Sequence, residues 1–142
     1  MKVKTRFFGE VNIDEDQIIS FVEGIPGFPE QKKYIILNDD DTDFTFLQST
    51  EEEGLCFITL PPAMIVGDYS FDISDETVEK LELKSPEDVL TLAILNIPED
   101  FKKMTANLRA PIVINTKNKI GIQELLNDDN YSMKHQVFRR DV

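Results

Sequence analysis

The acidic stretch "DDDTD" spaces its carboxylates in a way that could hold a cation. Asp39, Asp41 and Asp43 match the first, third and fifth ligand positions of a calcium-binding EF-hand loop. Such a loop also needs glycine at its sixth position and a bidentate glutamate at its twelfth, where this sequence has Phe44 and Thr50. We therefore predict a solvated acidic turn here and no metal site.

Nucleophiles and further metal ligands are scarce. The chain has one cysteine, Cys56, inside the apolar run "LCFITL", and one histidine, His135, in a polar tail. Zinc needs several such ligands, and a thiolate is costly to form in an apolar strand. The sequence also lacks the G-x-S-x-G, P-loop and G-x-G-x-x-G motifs. We predict no cofactor and no enzymatic activity, with paired carboxylates in the mouth of a barrel as the enzymatic alternative.

The charge of the chain restricts its partners. Its 142 residues include 15 lysines and arginines against 27 aspartates and glutamates, a formal net charge of -12. A surface of this sign repels phosphate backbones, so we expect no direct binding to nucleic acid. It favours a basic protein partner or simply high solubility, and composition leaves both open.

The N-terminal sequence favours a cytoplasmic protein. "MKVKTRFFGEVNI" alternates polar and apolar residues and has no apolar core of a signal peptide. No segment approaches the roughly 18 consecutive apolar residues of a membrane span. A single cysteine also fits a reducing compartment. Because no segment could span a membrane, we expect no membrane partner.

The positioning elements are predicted to be mainly short β-strands. Residues 3–13 alternate, with Val3, Phe7 and Ile13 on one face and Gly9 at a bend. Further strands are predicted at "QIISFVEG", "KKYIILN", "FTFLQS", "LCFITL", "DYSFDIS", "APIVINT" and "KIGIQELL", the last two as a hairpin. The nearly all-apolar "VLTLAILNIP" is typical of a central strand that is buried on both faces.

One region favours helix. In "SDETVEKLEL", Ser74 suits the N-cap, and Asp75 and Glu76 suit the positive end of a helix dipole. Val78 and Leu81 are expected to face the core, and "SPEDVL" predicts one further helical turn. The fold class is therefore mostly β, an antiparallel barrel-like or sandwich domain over residues 1–142 with one or two short helices. The tail, about residues 127–142, is predicted to be either a short final strand or flexible.

Three stretches carry a family resemblance. "FVEGIPGFPE", "VLTLAILNIP" and "MTANLRAPIVINTKNKIGIQ" occur in the same order as in FliW, the flagellar assembly factor of bacteria. The resemblance runs from the first strand to about Gln123. Its most specific parts are "EGIPGF" at residues 23–28 and "NLRAPIVIN" at residues 107–115. Neither is a catalytic motif, so the chain resembles the FliW family in its overall pattern.

The resemblance implies a cytoplasmic, non-enzymatic regulator with a barrel-like fold, monomeric when free. FliW proteins bind new flagellin at its C-terminal helical region, in a chaperone-like role. They also bind and antagonise CsrA, a small RNA-binding repressor of flagellin translation, by an allosteric route. The two partners are alternatives, so accumulating flagellin frees CsrA to shut down flagellin synthesis. A structural subunit of an assembly is a further alternative, against which the absence of helical heptads argues.

The loop of residues 23–28 is the first candidate binding site. We predict that Glu23, Ile25 and Phe28 are exposed and contact a partner, with a core position as the equal alternative for Phe28. The other members give the loop its backbone shape and rigidity: Gly24, Pro26 and Gly27.

Two further groups are candidates for partner contact. Asn107 and Arg109 either contact a partner or satisfy backbone groups at a turn. An acidic patch could meet CsrA or could be a plain solvated helix face; its members are Asp72, Asp75, Glu76 and Glu79.

Overall fold

The computed structural model describes residues 1–127 and 130–138. Within them it has one α-helix, α1 (Asp75–Lys80), and short 3-10 turns at Glu15–Gln17, Pro62–Met64, Pro86–Asp88 and Phe101–Lys103. The strands are β1 (Lys2–Lys4), β2 (Glu10–Asn12), β3 (Ile19–Ser20), β4 (Lys33–Asn38), β5 (Thr45–Ser49), β6 (Cys56–Leu60), β7 (Val89–Asn96), β8 (Thr105–Ala106), β9 (Ile112–Asn115), β10 (Ile120–Gln123) and β11 (His135–Gln136).

Seven strands close into a barrel in the order β7-β6-β5-β4-β3-β10-β9, and β9 pairs back with β7. Every neighbouring pair is antiparallel except β3 and β10, which run parallel with Ile120 opposite Ser20. Closure leaves no long unpaired edge in the sheet. The prediction of a mostly β, barrel-like domain with a short helix is confirmed.

The strand β7 has apolar contacts on both faces. Leu92 is fully buried in the main core of the barrel, beside Leu47 and Ile112. The next residue, Ala93, and Leu95 belong to a second apolar cluster. Successive side chains of a strand point to opposite faces, so a strand between two apolar layers needs an unbroken apolar run. The prediction of a central strand buried on both faces is confirmed.

The N-terminal segment is a hairpin, so the prediction of one bent strand is wrong there. Val3 of β1 lies opposite Val11 of β2, and the turn between them closes through Thr5. The Thr5 N–H donates to the Gly9 carbonyl at 2.9 Å, and Gly9 has φ +65°. The alternation continues across this turn, but Phe7 is exposed at the hairpin end. Gly9 does mark the change of direction.

Residues 69–74, predicted as part of a strand, are outside the sheet ladders. Their side chains still alternate: Tyr69, Phe71 and Ile73 are half-buried, while Ser70 and Asp72 are exposed. The strand prediction is wrong because alternation reports the two environments of an extended chain and does not report whether a neighbouring strand pairs with it.

The helix α1 begins where its capping residue predicts. The Ser74 hydroxyl accepts a hydrogen bond from the Thr77 N–H at 3.2 Å, and Leu81 is buried just after the helix. Val78, which was expected to face the core, is 37% exposed, and Thr77 is buried in its place. Because α1 has only 6 residues, one contact can decide which of its side chains is buried. Here that contact is between Thr77 and Glu124.

The hairpin of β9 and β10 is present as predicted. The C-terminal tail contributes β11, which pairs with β8 and so realises the predicted short final strand. Residues 128–129 and 139–142 of the tail, to which the flexible alternative also applies, lie outside the described residues. Among residues 1–127 and 130–138, no helix is long and apolar enough to cross a membrane.

Candidate functional site

The loop of residues 23–28 is built around a tight turn. The Phe28 N–H donates to the Ile25 carbonyl at 2.7 Å, with Pro26 and Gly27 at the two central positions. Gly27 has φ +93°, as the third residue of a type II turn requires. Gly24 also has a positive φ of +68°. A Cβ atom on Gly24 would lie 2.6 Å from the Pro29 carbonyl oxygen, so this position excludes every side chain.

The loop divides its apolar side chains between core and surface. Ile25 is 1% exposed and belongs to the main barrel core together with Phe21. The prediction that Ile25 is exposed is therefore wrong: the turn directs this side chain inward and cannot offer it to a partner. Phe28 is 44% exposed, and its ring packs edge-on against Phe57 at 5.7 Å. Phe28 thus has one face on the barrel and one face free.

One ion pair joins this loop to α1, and a second lies within the helix. The Lys80 ammonium lies 2.6 Å from the Glu23 carboxylate and 2.9 Å from the Glu76 carboxylate. Hydrogen bonds to Glu23 and then to Glu76 raise the pKa of Lys80, and the Lys80 hydrogen bond lowers the pKa of Glu76. Sequence reasoning treated the loop and the acidic patch as separate, whereas Lys80 makes them neighbours on one surface.

The remaining members of the acidic patch are exposed on α1 and just before it: Asp72, Asp75 and Glu79. The 3-10 turn at Pro86–Asp88 is the further helical turn predicted at "SPEDVL", and the Ser85 hydroxyl accepts a hydrogen bond from the Glu87 N–H.

Asn107 and Arg109 satisfy backbone groups, the structural alternative named for them. The Asn107 side-chain oxygen accepts hydrogen bonds from the Arg109 N–H at 3.2 Å and the Ala110 N–H at 3.0 Å. The Arg109 Nε donates to the Leu126 carbonyl at 3.3 Å. These bonds hold the turn before β9 and attach it to the chain after β10, and contact with a partner stays a prediction.

An apolar groove of about 740 Å³ lies between residues 69–73 and the helical region after them. Sequence reasoning placed only Asp72 near it. The available signal was the Pro61-Pro62 pair, which ends β6. Val78 of α1, expected in the core, is instead exposed on the wall of the groove. Its apolar lining includes Pro62, Tyr69, Phe71, Ile73, Val78, Leu83 and Val89, with Asp72 and Lys84 as its charged members.

The wall of this groove is anchored through Tyr69. The Tyr69 hydroxyl donates to the Leu108 carbonyl at 2.8 Å, and its ring packs on Tyr131 with centroids 4.5 Å apart. Burial, and next the neighbouring Tyr131, raise the pKa of the Tyr69 hydroxyl. A half-buried, hydrogen-bonded tyrosine fixes where residues 69–73 leave the second apolar cluster.

Groups suited to catalysis do not converge in this region. Cys56 lies in β6, where burial raises the pKa of its thiol to about 11 although Arg6 opposes the shift. The thiol therefore stays protonated at neutral pH and is a poor nucleophile. In the described ranges, no three histidine, cysteine, aspartate or glutamate side chains cluster in a way that could hold a metal ion. The geometry offers apolar and acidic surface for binding.

Comparisons with known proteins agree with this geometry. The FliW protein family model matches residues 2–137. The chain is 45% identical over 136 residues to the flagellar assembly factor FliW of Caldicellulosiruptor bescii, covering 96% of this chain and 90% of that protein. It is 46% identical to that of Bacillus licheniformis and 42% identical to that of Bacillus subtilis, each over 138 residues and 96% of both chains.

The solved structures give the same result. The fold superposes on a crystal structure of the flagellar assembly factor FliW with a TM-score of 0.94, at 37% identity and over 100% of both chains. The match spans the barrel, the loop of residues 23–28 and the grooved surface alike. The name of the family describes a role in assembly and no chemical reaction, and this chain belongs to the FliW family of flagellar assembly factors.

Proposed function

We propose that this protein is a cytoplasmic, non-enzymatic factor with two alternative protein partners. One partner is flagellin, which it binds at the C-terminal helical region in a chaperone-like role. The other is CsrA, whose repression of translation it antagonises. Membership of the FliW family supports the role in flagellar assembly. The apolar groove beside the acidic surface is the observation that carries the two binding activities.

The groove suits an amphipathic helix of flagellin. Helix-in-groove recognition places the apolar face of a helix into an apolar channel and leaves its polar face at the rim. Here Phe71, Ile73 and Val78 supply the channel, and Asp72 stands among them as a charged member. Val78 is exposed in the free protein, so a bound helix would cover apolar surface that now faces water.

The acidic surface suits CsrA, a repressor with basic surfaces. A net charge of -12 would accelerate encounter with such a partner, and the exposed carboxylates of α1 would set its orientation. Lys80 joins α1 to the loop of residues 23–28, so a partner that contacts one element also lies close to the other. As the family resemblance implies, we propose that the antagonism is allosteric, acting beside the RNA site of CsrA and not within it.

The test is co-purification with flagellin and with CsrA, each alone and then in competition, using two matched variants. Val78→Asp places a charge in the groove, whereas Val22→Asp places one on a side chain that is 67% exposed outside it. We expect Val78→Asp to weaken flagellin binding at least about tenfold, because an unpaired charge is costly to bury. Val22→Asp should leave flagellin binding unchanged.

The same assay tests the electrostatic part. CsrA binding should weaken markedly between low and high salt, since charges near the surface are screened. Failure of either partner to bind at micromolar concentration contradicts that half of the proposal. Equal effects of the two aspartate variants would remove the groove as the flagellin site, and salt-independent CsrA binding would remove charge steering.

A further inference from the structure

A second, more polar groove of about 490 Å³ lies beside the larger one. Its two walls are short extended segments, residues 70–74 on one side and residues 124–127 on the other, and neither belongs to a strand of the sheet. It shares residues 70–72 with the larger groove but has its own second wall. We call it the slot.

The first wall has unused backbone hydrogen-bonding groups. In the part of the chain that the structure describes, the N–H and C=O groups of Phe71, Asp72 and Ile73 have no partner. The segment is nevertheless held at both ends. The Tyr131 hydroxyl accepts from the Ser70 N–H and donates to the Ser70 carbonyl, both at 3.0 Å, and the Ser74 carbonyl accepts from the Val78 N–H in α1. These unpaired residues are thus fixed in an extended form.

The second wall also has a residue with unpaired backbone groups, Leu125. The Glu124 N–H donates to the Pro111 carbonyl at 2.9 Å, and the Leu126 N–H donates to the Arg109 carbonyl at 2.8 Å. In an extended chain, adjacent residues direct their backbone groups to opposite edges. The backbone of Leu125 therefore points away from residues 109–111, and it has no hydrogen-bond partner among the described residues.

We propose that the slot binds an extended segment of a partner protein as an added β-strand. Backbone pairing of this kind is a recurrent mode of peptide recognition, because the ladder supplies affinity and alternate side chains supply specificity. From the spacings of a sheet, one strand residue occupies about 160 Å³, so the slot holds about three residues. Because adjacent residues of an extended wall direct their backbone groups to opposite edges, a strand of that length would pair with alternate members of residues 71–73.

The chemistry of the walls selects a segment in which apolar and basic residues alternate. Leu125 is 61% exposed, so it offers apolar surface to every second side chain of an added strand. Asp72 is exposed on the opposite wall, and Glu124 carries a second carboxylate that the Thr77 hydroxyl contacts. Together with the net charge of -12 of the whole chain, these carboxylates favour lysine or arginine at the intervening positions of the added strand. The proposal for the slot does not rest on flagellin binding in the larger groove, although the two grooves share residues 70–72.

The first test uses the unmodified protein and hydrogen exchange. The probe is a short peptide in which valine alternates with lysine. Its controls are the same peptide with glutamate for lysine, and an isomer whose valines follow a helical period. We expect the first peptide alone to slow exchange of the Leu125 amide and of amides in residues 71–73, by about tenfold or more. Protection by the helical isomer alone, or by none of the peptides, overturns the proposal.

The second test removes one backbone donor at a time and measures affinity for the same peptide by fluorescence anisotropy. Leu125→Pro lacks the N–H that faces the slot, and Leu125→Ala keeps it while also losing the side chain. Asp72→Pro and Asp72→Ala form the matching pair on the other wall. At least one proline variant should bind about threefold to tenfold more weakly than its alanine control. Equal binding within both pairs, with native circular dichroism, overturns the proposal.

Discussion

The loop of residues 23–28 and the segment of residues 69–74 are both irregular, both carry aromatic residues and both lie beside α1. They differ in how their backbones are held. In the loop, the Gly24 N–H donates to Phe21 and the Phe28 N–H donates to Ile25, both at 2.7 Å. In the segment, residues 71–73 have no backbone partner in the described parts of the chain.

This difference teaches that a distinctive motif need not be a contact surface. The glycines and proline of the loop satisfy the stereochemistry of a tight turn, and that turn buries Ile25. The segment has a plain alternating sequence, yet it borders both grooves. A motif under strict backbone geometry is recognisable from sequence, whereas a surface without such a requirement is less so. Four experiments test how firmly each region is held.

The largest effect is expected from truncating the buried side chain of the loop. Ile25→Ala should lower the free energy of unfolding by about 2–5 kcal/mol, because it leaves a cavity in the main core. Val78→Ala, on the wall of the larger groove, should change it by less than about 1 kcal/mol. Urea unfolding measures both. Similar losses of stability would show that the groove wall is as tightly packed as the loop, and would contradict the contrast between the two regions.

An intermediate effect is expected from adding one methyl group to each glycine of the loop. Both Gly24 and Gly27 have positive φ, which costs a non-glycine residue about 1–2 kcal/mol. Only Gly24 also meets backbone atoms of Pro29, so Gly24→Ala should destabilise by about 2–4 kcal/mol and Gly27→Ala by about 1 kcal/mol. Urea unfolding of the two variants and of the unmodified protein measures the two losses of stability. Equal costs would mean that residues 24–29 relax freely.

The smallest effect at neutral pH is expected from the hydroxyl groups of two tyrosines, the buried Tyr34 and the half-buried Tyr69. Tyr34 packs behind the loop against Phe21, and its hydroxyl has no partner among the described residues. Tyr69 anchors the segment through its bond to Leu108. Tyr34→Phe should leave stability unchanged or raise it, while Tyr69→Phe should cost about 1 kcal/mol. A comparable loss in both variants would contradict the assignment of an unpaired hydroxyl at Tyr34.

Alkaline pH amplifies this last contrast. Burial raises the pKa of Tyr34 to about 12 from its ordinary 10. Since the unfolded chain loses this proton first, the stabilisation is complete below pH 10 and is lost as the pH rises toward 12, with a slope of about 1.4 kcal/mol per pH unit. Tyr34→Phe removes that dependence, so unfolding midpoints between pH 10 and 12 should fall less steeply in the variant. Parallel pH profiles would place the alkaline sensitivity elsewhere, for example at Cys56.

The fold was largely predictable because its signals are local. The run at β7, the hairpin of β9 and β10 and the Ser74 cap each depend on neighbours in sequence. What failed depends on distant contacts. The buried Thr77, and not Val78, reflects an interaction with Glu124. The missing pairing of residues 69–74 likewise depends on whether a strand from elsewhere in the chain lies beside them.

The site was less predictable than the fold. Glu23 and Phe28 are at the surface as expected, but the inward position of Ile25 follows from a turn geometry that places two neighbouring apolar side chains in opposite environments. The proximity of Glu23 to Glu76 depends on Lys80, which belongs to another element. No spacing rule connects residues so far apart in sequence.

The parallel contact between β3 and β10 has a consequence for biosynthesis. Ser20 donates its N–H to the Lys119 carbonyl at 2.9 Å, so the barrel closes only when its seventh strand has left the ribosome. The meander of β4, β5 and β6 can form earlier, because its pairings are local. A nascent chain that forms this meander first therefore has an open sheet edge until its first and last barrel strands, β3 and β10, meet.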